Sequence, residues 1–292
     1  MKKYGLLLIS IVLLSPLAVT AKEKPEWRSW PLGDRLIGTV GYYKPTLDTK
    51  AVVSDSDGNL GALISFEETL GLSDNKGTAI AAIAWRISKR NSLTMNYFKL
   101  SRDATQNSEV GIFITNPMPP PESIEVKVTL PITAAFDIES IDLSYAFSII
   151  FTEKMNLAVG IGLALQELTF GLQASDDCTI PACSDFGAPR TVSSTVPLPT
   201  INFLFQYAIN DKWIIDTNIG YLDVELELEQ SENLGGRIIN LTAGIRWKTW
   251  DHFGFNLAYK LFDVEIDYAK RNLRAAAEYK YKGFMLGMQG FY

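Results

Sequence analysis

From Thr78 onward, apolar and polar residues alternate with a period of two, which is the mark of extended strands with one greasy face. Ala79, Ala81, Ile83, Trp85 and Ile87 alternate with Ile80, Ala82, Ala84, Arg86 and Ser88. The same alternation recurs at 93–97, 141–149, 157–165, 201–209, 213–221, 241–247 and 253–261, and an earlier strand is expected at 35–44. The final stretch, 273–292, places Phe284, Leu286, Met288 and Tyr292 on one face and Gly283, Gly287 and Gln289 on the other. A span of about ten residues is what a tilted strand needs to cross the hydrocarbon core of a bilayer.

The composition of the second face decides between water and membrane. A soluble sandwich would carry many Lys, Glu, Asp and Arg there, whereas this face is mostly Gly, Ala, Ser, Asn and Thr. Small uncharged side chains suit the crowded inside of a narrow barrel. The expected fold is therefore all-β: a transmembrane antiparallel up-and-down barrel of about ten strands, with eight or twelve as the alternatives. The 15 Phe, 12 Tyr and 6 Trp fit the aromatic girdles of such a barrel.

Connection lengths give the topology. Tight turns at 89–91, 152–154, 210–212 and 249–252 alternate with longer connections at 46–77, 103–133, 171–195, 230–236 and 268–272. Short turns face the periplasm and long loops the outside in barrels of this type. The carboxy terminus then lies in the periplasm, and the last strand closes on the first near residues 36–43. Within the first long connection, 47–70 reads as a hairpin rising beyond the membrane, and 70–75 as a segment able to fold into the pore. Residues 103–133 read as a second hairpin above the membrane.

The amino end has Lys2 and Lys3, an apolar run over 4–14 and small residues up to Ala21, so 1–21 reads as a secretory signal peptide. Residues 22–34, with Trp27, Trp30 and Pro31, are a periplasmic lead-in or a frayed tail, and 35–292 form one barrel domain. Of the 27 basic residues, cleavage would remove Lys2 and Lys3, leaving 25 against 33 acidic and a net charge of −8. That balance argues against nucleic acid as a partner. The implied location is the outer membrane of a Gram-negative bacterium, reached by the general secretory pathway. The implied partners are outer-membrane lipid and lipopolysaccharide, with the barrel-insertion machinery during assembly; oligomeric state is not readable.

Candidate chemistry sits in three places. By parity Arg86, Asp142, Asp216, Arg246, Lys248 and Lys260 point into the lumen, either as a plug of paired side chains or as a charge filter. Asp216 and Arg246, on adjacent strands, are expected to pair. Two similar stretches, 221–229 and 261–268, turn acidic on the lipid-facing side after a membrane-length apolar run. Carboxylates do not face lipid tails, so Asp223, Glu225, Glu227, Asp263, Glu265 and Asp267 form an outer rim, either simply solvated or bridged by divalent cations to lipopolysaccharide phosphates. Cys178 and Cys183, in an outer loop of an exported protein, point to a disulfide rather than a metal site.

No metal, cofactor or nucleophile motif is present. Enzymes of bacterial outer membranes generally rely on a His at the outer rim or membrane face, and the single His here, His252, falls in a tight periplasmic turn. The sequence therefore points to a non-enzymatic barrel, acting as a narrow diffusion channel or as a structural and surface-interaction protein. The alternative is a hydrophobic-ligand transporter, which needs a lateral opening or a greasy lumen; an outer-membrane enzyme ranks last.

The segments 70–75 and 85–93, Tyr145-Ala-Phe-Ser148, the Leu-Asp-Val-Glu type repeats and the terminal strand together resemble a group of uncharacterised proteobacterial outer-membrane β-barrel proteins. Asn91 and Ser92 replace the basic or His residue expected after the first tight turn. The resemblance implies fold and location rather than an activity.

Overall fold

The computed structural model describes residues 25–55, 61–115, 123–174, 190–229, 232–270 and 273–292. The expected signal peptide and the loop carrying Cys178 and Cys183 lie outside the described residues. Eleven strands follow a short 3-10 helix at Glu26–Ser29. They are β1 (Leu36–Asp55), β2 (Gly61–Ser65), β3 (Thr78–Arg86), β4 (Asn91–Thr115), β5 (Ser123–Phe151), β6 (Met155–Ala174), β7 (Arg190–Ala208), β8 (Trp213–Glu229), β9 (Glu232–Trp250), β10 (Phe253–Lys270) and β11 (Leu273–Phe291). Each of β3 to β11 pairs antiparallel with its sequence neighbour, β1 pairs with β3, and β11 returns to β1. Ten strands thus close a barrel, while β2 is a short return strand on the upper part of β1.

The closing seam runs from Ile37 opposite Phe291 to Asp55 opposite Leu273. Its lower end is fastened by Tyr292, whose carbonyl accepts from the amides of Arg35 and Leu36 and whose amide donates to Leu36. In lipid every backbone polar group must be paired within the protein, so a sheet that spans has to close.

Parity puts the apolar face outward as expected. Val40, Ile83, Met95, Leu143, Ile161, Phe203, Ile219, Leu257, Leu286 and Met288 are exposed, and the inward Thr39, Asn202 and Gln289 are buried. Trp85, Trp213, Trp247 and Trp250 mark the lower edge of this band, and Tyr42, Tyr97 and Tyr221 the upper edge. Amphipathic rings at two levels are the signature of the two membrane interfaces.

The strands do not stop at the upper ring. The greasy face gives out near residues 102, 166, 221 and 261, yet the backbone pairing runs on: β4 and β5 continue to a pairing of Thr115 with Ser123, β8 to Glu229 and β10 to Lys270, in keeping with the hairpin expected at 103–133 and the connections expected at 230–236 and 268–272. Above the ring the faces exchange chemistry. Lys99, Asp223, Glu225 and Lys282 are exposed on the outer side, while Phe98, Leu100, Phe136, Ile138, Phe262, Val264, Tyr279 and Tyr281 are buried inside. The period of two persists while its polarity inverts, because the solvent on the outside changes from lipid to water.

Three ladders are short: the two that β3 makes with β1 and β4, beside which β2 and the connection after it lie, and the one between β7 and β8. Strands β7 and β8 pair only from Ala208 opposite Ile214 up to Ile201 opposite Tyr221, whereas β6 and β7 stay paired up to Arg190, and β8 and β9 up to Glu229 opposite Glu232.

The band makes a direct prediction. Replacing the outward Met288 with Arg should cost about 2–4 kcal/mol, the penalty for a cation on the lipid face near mid-membrane. Replacing the outward Lys282 above the ring with Arg should leave stability unchanged. Urea titration of the barrel folded into lipid vesicles reads both.

Candidate functional site

The lumen is the candidate site, because the period of two sends Arg86, Asp142, Asp216, Arg246, Lys248 and Lys260, the charged side chains of the membrane band, to the inside. From the lower end upward it contains a plug, a polar chamber and an aromatic core.

The plug is the lead-in segment. Residues 25–34 are not frayed; they enter the lower mouth of the barrel. Leu32 is buried against Phe151, Ala208 and Ile214, with Trp27 and Trp30 packed beside it. Trp27 meets Phe151 edge-on at 6.2 Å, and Trp30 lies 5.6 Å from the same ring. Lys248, inward as parity requires, forms an ion pair with Asp34 and donates to the Pro31 carbonyl at 2.8 Å. Gly33 is required at this turn, since a Cβ there would lie 2.1 Å from the Trp27 carbonyl oxygen.

Above the plug, the expected pair is present: Arg246 donates to Asp216 at 2.6 Å, and Gln206 donates to the same carboxylate oxygen at 2.7 Å. Lys260 reaches across the barrel from β10 to Asp142 on β5, donating at 3.0 Å, and Ser140 donates to the other Asp142 oxygen at 2.9 Å. Arg86 is buried with no carboxylate partner among the described residues. Its guanidinium lies 4.3 Å over the Phe151 ring and donates to the Lys89 carbonyl at 3.3 Å. All six lumen charges foreseen by parity therefore face inward. Five of them are paired, Lys248 with a residue of the lead-in that no periodicity could indicate.

Between the two pairs lies a chamber of about 250 Å³. Its wall mixes Thr39, Asn96, Asn218, Thr242 and Asn256 with Ile80, Ala82, Leu204 and Ala258. It is roofed by rings. Phe262 stacks on Tyr281 at 4.8 Å, Phe98 meets Tyr281 at 5.4 Å, and Tyr43 meets Phe98 at 6.0 Å.

The roof is completed by the connection after β2. Leu72 is buried in the apolar core, and Phe66 packs on Phe136 and Phe170 at 5.3 and 5.2 Å. β1 and β2 pair as the two arms of the expected hairpin, from Lys50 opposite Ser65 to Ser54 opposite Gly61, and the segment around Leu72 folds inward, turning at Gly71 with φ +69°. Arg102 holds it there. This fully buried guanidinium donates to Glu67 at 2.5 Å, to Thr49 at 3.1 Å and to the Ser73 carbonyl at 3.3 Å. The inward parity of Arg102 beside Phe98 and Leu100 was a signal for this site, whereas Glu67 belongs to a connection with no period.

Outside, Asp223, Glu225 and Asp267 are exposed, and Asp263 and Glu265 half-buried, on the outer face above the ring, as expected; the Glu227 side chain lies outside the described residues. Oxygens of Asp263, Glu265 and Glu278 lie within 4.8 Å of one another. Two cations already sit on this group. Lys280 donates to Asp263 at 2.6 Å, which raises the Lys280 pKa, and Arg237 pairs with Glu265. The terminal-strand residues Phe284, Leu286, Met288 and Tyr292 all face outward.

No protein-family model and no curated protein matches the sequence. Among solved structures, the outer membrane protease OmpT from Escherichia coli aligns over 89% of this chain and 97% of its own, with a TM-score of 0.53 and 10% identity. The outer membrane protein OprG from Pseudomonas aeruginosa aligns over 89% and 96%, with a TM-score of 0.38 and 9% identity. A Pseudomonas aeruginosa FadL homologue aligns over 90% and 91%, with a TM-score of 0.37 and 10% identity. The first likeness shows a shared barrel fold and nothing about activity.

The lumen pairs can be tested by removing one partner or both. Lys260→Met leaves Asp142 buried and uncompensated, which should cost about 3–5 kcal/mol. The double change Lys260→Met with Asp142→Leu should recover most of that loss. Urea unfolding of the three proteins in detergent measures it, and equal losses for single and double variants would remove the pair from the account.

Proposed function

We propose that this protein is a non-enzymatic barrel of a Gram-negative outer membrane, exported by the general secretory pathway, with a lumen closed along its axis. On this reading it serves as a structural and surface-interaction protein, with outer-leaflet lipid and lipopolysaccharide as its surroundings, rather than as an axial diffusion channel. The observation that carries this choice is the pair of seals. The plug centred on Leu32 fills the periplasmic end, and the rings around Phe66, Phe98 and Tyr281 fill the outer end.

A filled lumen supports the paired plug over the charge filter. Side chains that form a charge filter would line a wet path, whereas Asp142, Asp216 and Lys248 are engaged by partners across the lumen or by the plug. The non-enzymatic reading rests on chemistry. His252 sits in the turn after β9 at the periplasmic end, with Nδ1 3.1 Å from the Phe291 carbonyl oxygen. Among the described residues it has no Asp or Ser partner, and it lies away from the outer position; hydrolysis at the cell surface needs both that partner and that position. A second reading, a hydrophobic-ligand transporter, is favoured by one observation: the short ladder between β7 and β8 opens beside an apolar upper lumen.

Planar-bilayer recording separates the closed barrel from a pore. The intact protein should show no steady conductance in 1 M KCl. Lys248→Ala combined with Leu32→Ala, which releases the plug but leaves the aromatic roof, should stay silent as well, because one seal suffices. Steady channels from the intact protein would overturn the closed-axis reading.

A further inference from the structure

We propose that the chamber beneath the aromatic roof is a binding site for a small neutral amphiphile, one ring in size with a hydrogen-bonding group, and that the gap between β7 and β8 is its entry from the outer leaflet.

The gap is written into the strand chemistry. Along β7, the Ala208 amide donates to Lys154 at the foot of β6, and the Ile209 amide donates to Trp213 at the foot of β8. Even positions therefore address β6 and odd positions address β8. Pairing with β8 ends at Ile201, and the next two odd positions are Pro199 and Pro197. Neither has an N–H to offer, so the ladder to β8 loses two consecutive donors while the ladder to β6 is untouched. Continuing the register would bring Asp223 and Glu225 opposite these prolines, and both are exposed. Prolines and charges on an open edge also guard it against addition of a foreign strand. The edge is thus kept open without becoming a template for a peptide.

What the gap leads to is apolar, then mixed. Its foot lies at Tyr221, in the upper aromatic ring, so it opens at the level where lipid chains meet head groups. On the inner side, Leu198 belongs to the buried core, and Val196 and Leu222 pack against that core. One register step below, Asn202 faces Gly220, and the next inward pair, Leu204 and Asn218, already lines the chamber. Asn202 occupies the space a side chain at Gly220 would take, since a Cβ there would lie 2.7 Å from its Oδ1. It accepts from Thr200 at 2.9 Å and forms the threshold between gap and chamber.

Polar atoms without a protein partner surround the chamber. Tyr43 Oη and Gln289 Oε1 are buried and unpartnered, as are Arg246 Nε, Asn218 Oδ1 and Asn256 Oδ1, and all five residues line it. Tyr43, Gln289 and Arg246 are each more than nine-tenths buried. Ile80, Ala82, Leu204 and Met285 supply the apolar part of the wall. A volume of about 250 Å³ lies just under the roughly 300–1,000 Å³ usual for small-molecule sites, which limits the occupant to about one ring. The acidic flank of the gap disfavours an anion.

The probe for the test is 4-fluorophenol, followed by fluorine NMR on the full barrel in phosphatidylcholine nanodiscs, with empty nanodiscs as reference. The expected result is a saturable bound resonance whose affinity falls at least tenfold in Ala82→Phe and in Thr242→Phe, two independent fillings of the chamber. Entry is tested in a Cys178→Ser, Cys183→Ser background carrying Pro197→Cys and Glu225→Cys. Bridging these with a cleavable bifunctional maleimide should slow exchange of the bound probe at least tenfold, and cleavage should restore it. No bound signal beyond that of empty nanodiscs means the chamber holds water alone and overturns the proposal. Binding that survives both fillings overturns the site, and exchange unaffected by the bridge overturns the route. These outcomes are independent of bilayer conductance, so they separate failure of the binding site from failure of the closed-axis reading.

Discussion

The structure depends on closure of the backbone ladder between β11 and β1. Hydrocarbon offers no partner to a peptide group, so each strand within the band needs a neighbour on both sides, and only a cylinder supplies that. The Tyr292 backbone bonds to residues 35 and 36 fix the lower end of the seam, and Asp55 opposite Leu273 marks its upper end. The same requirement explains where the wall is allowed to open. Strands β7 and β8 remain paired wherever the band lies in lipid and separate only above Ile201 and Tyr221, where water or head groups can satisfy the freed groups.

Once the cylinder is closed, the solvent outside each level dictates what faces in. Beside lipid the apolar residues go out, and the polar ones left inside must satisfy one another. This accounts for the Asp142–Lys260 and Asp216–Arg246 pairs. Such pairs gain little net stability, because desolvation offsets the attraction, yet losing one partner is expensive. Above the upper ring, water surrounds the wall, the apolar residues turn inward, and the rings of Phe98, Phe136, Phe262, Tyr279 and Tyr281 gather into a core like that of a soluble domain. The outer seal follows from this inversion together with the inward fold of Leu72, and needs no dedicated plug domain.

Much of this was legible in the sequence. Period-two alternation gave the strand faces, the ten-strand closure, the orientation of the six lumen charges and the Asp216–Arg246 pair, since a strand's side chains alternate whatever surrounds it. Hydrophobicity alone stops at the ring, and it was the carboxylates beyond Tyr221 and Leu261 that showed these strands running past it. Periodicity was equally silent about contacts made by irregular segments. Asp34 meets Lys248, and Glu67 meets Arg102, from stretches without a repeat. Pro197 and Pro199 were visible all along, but their consequence required the register that tells which neighbour each missing amide would have faced.

The central claim is that the faces exchange polarity at the upper ring, so that the outer part of the lumen is packed rather than wet. Strand β10 offers adjacent reporters, with Asp263 outward and Val264 inward. In a background lacking Cys178 and Cys183, single cysteines at these two positions can be labelled on whole cells with a membrane-impermeant maleimide. The account predicts rapid labelling of Asp263→Cys and at least a hundredfold slower labelling of Val264→Cys. Comparable rates at the two positions would mean a water-filled outer lumen and would contradict it.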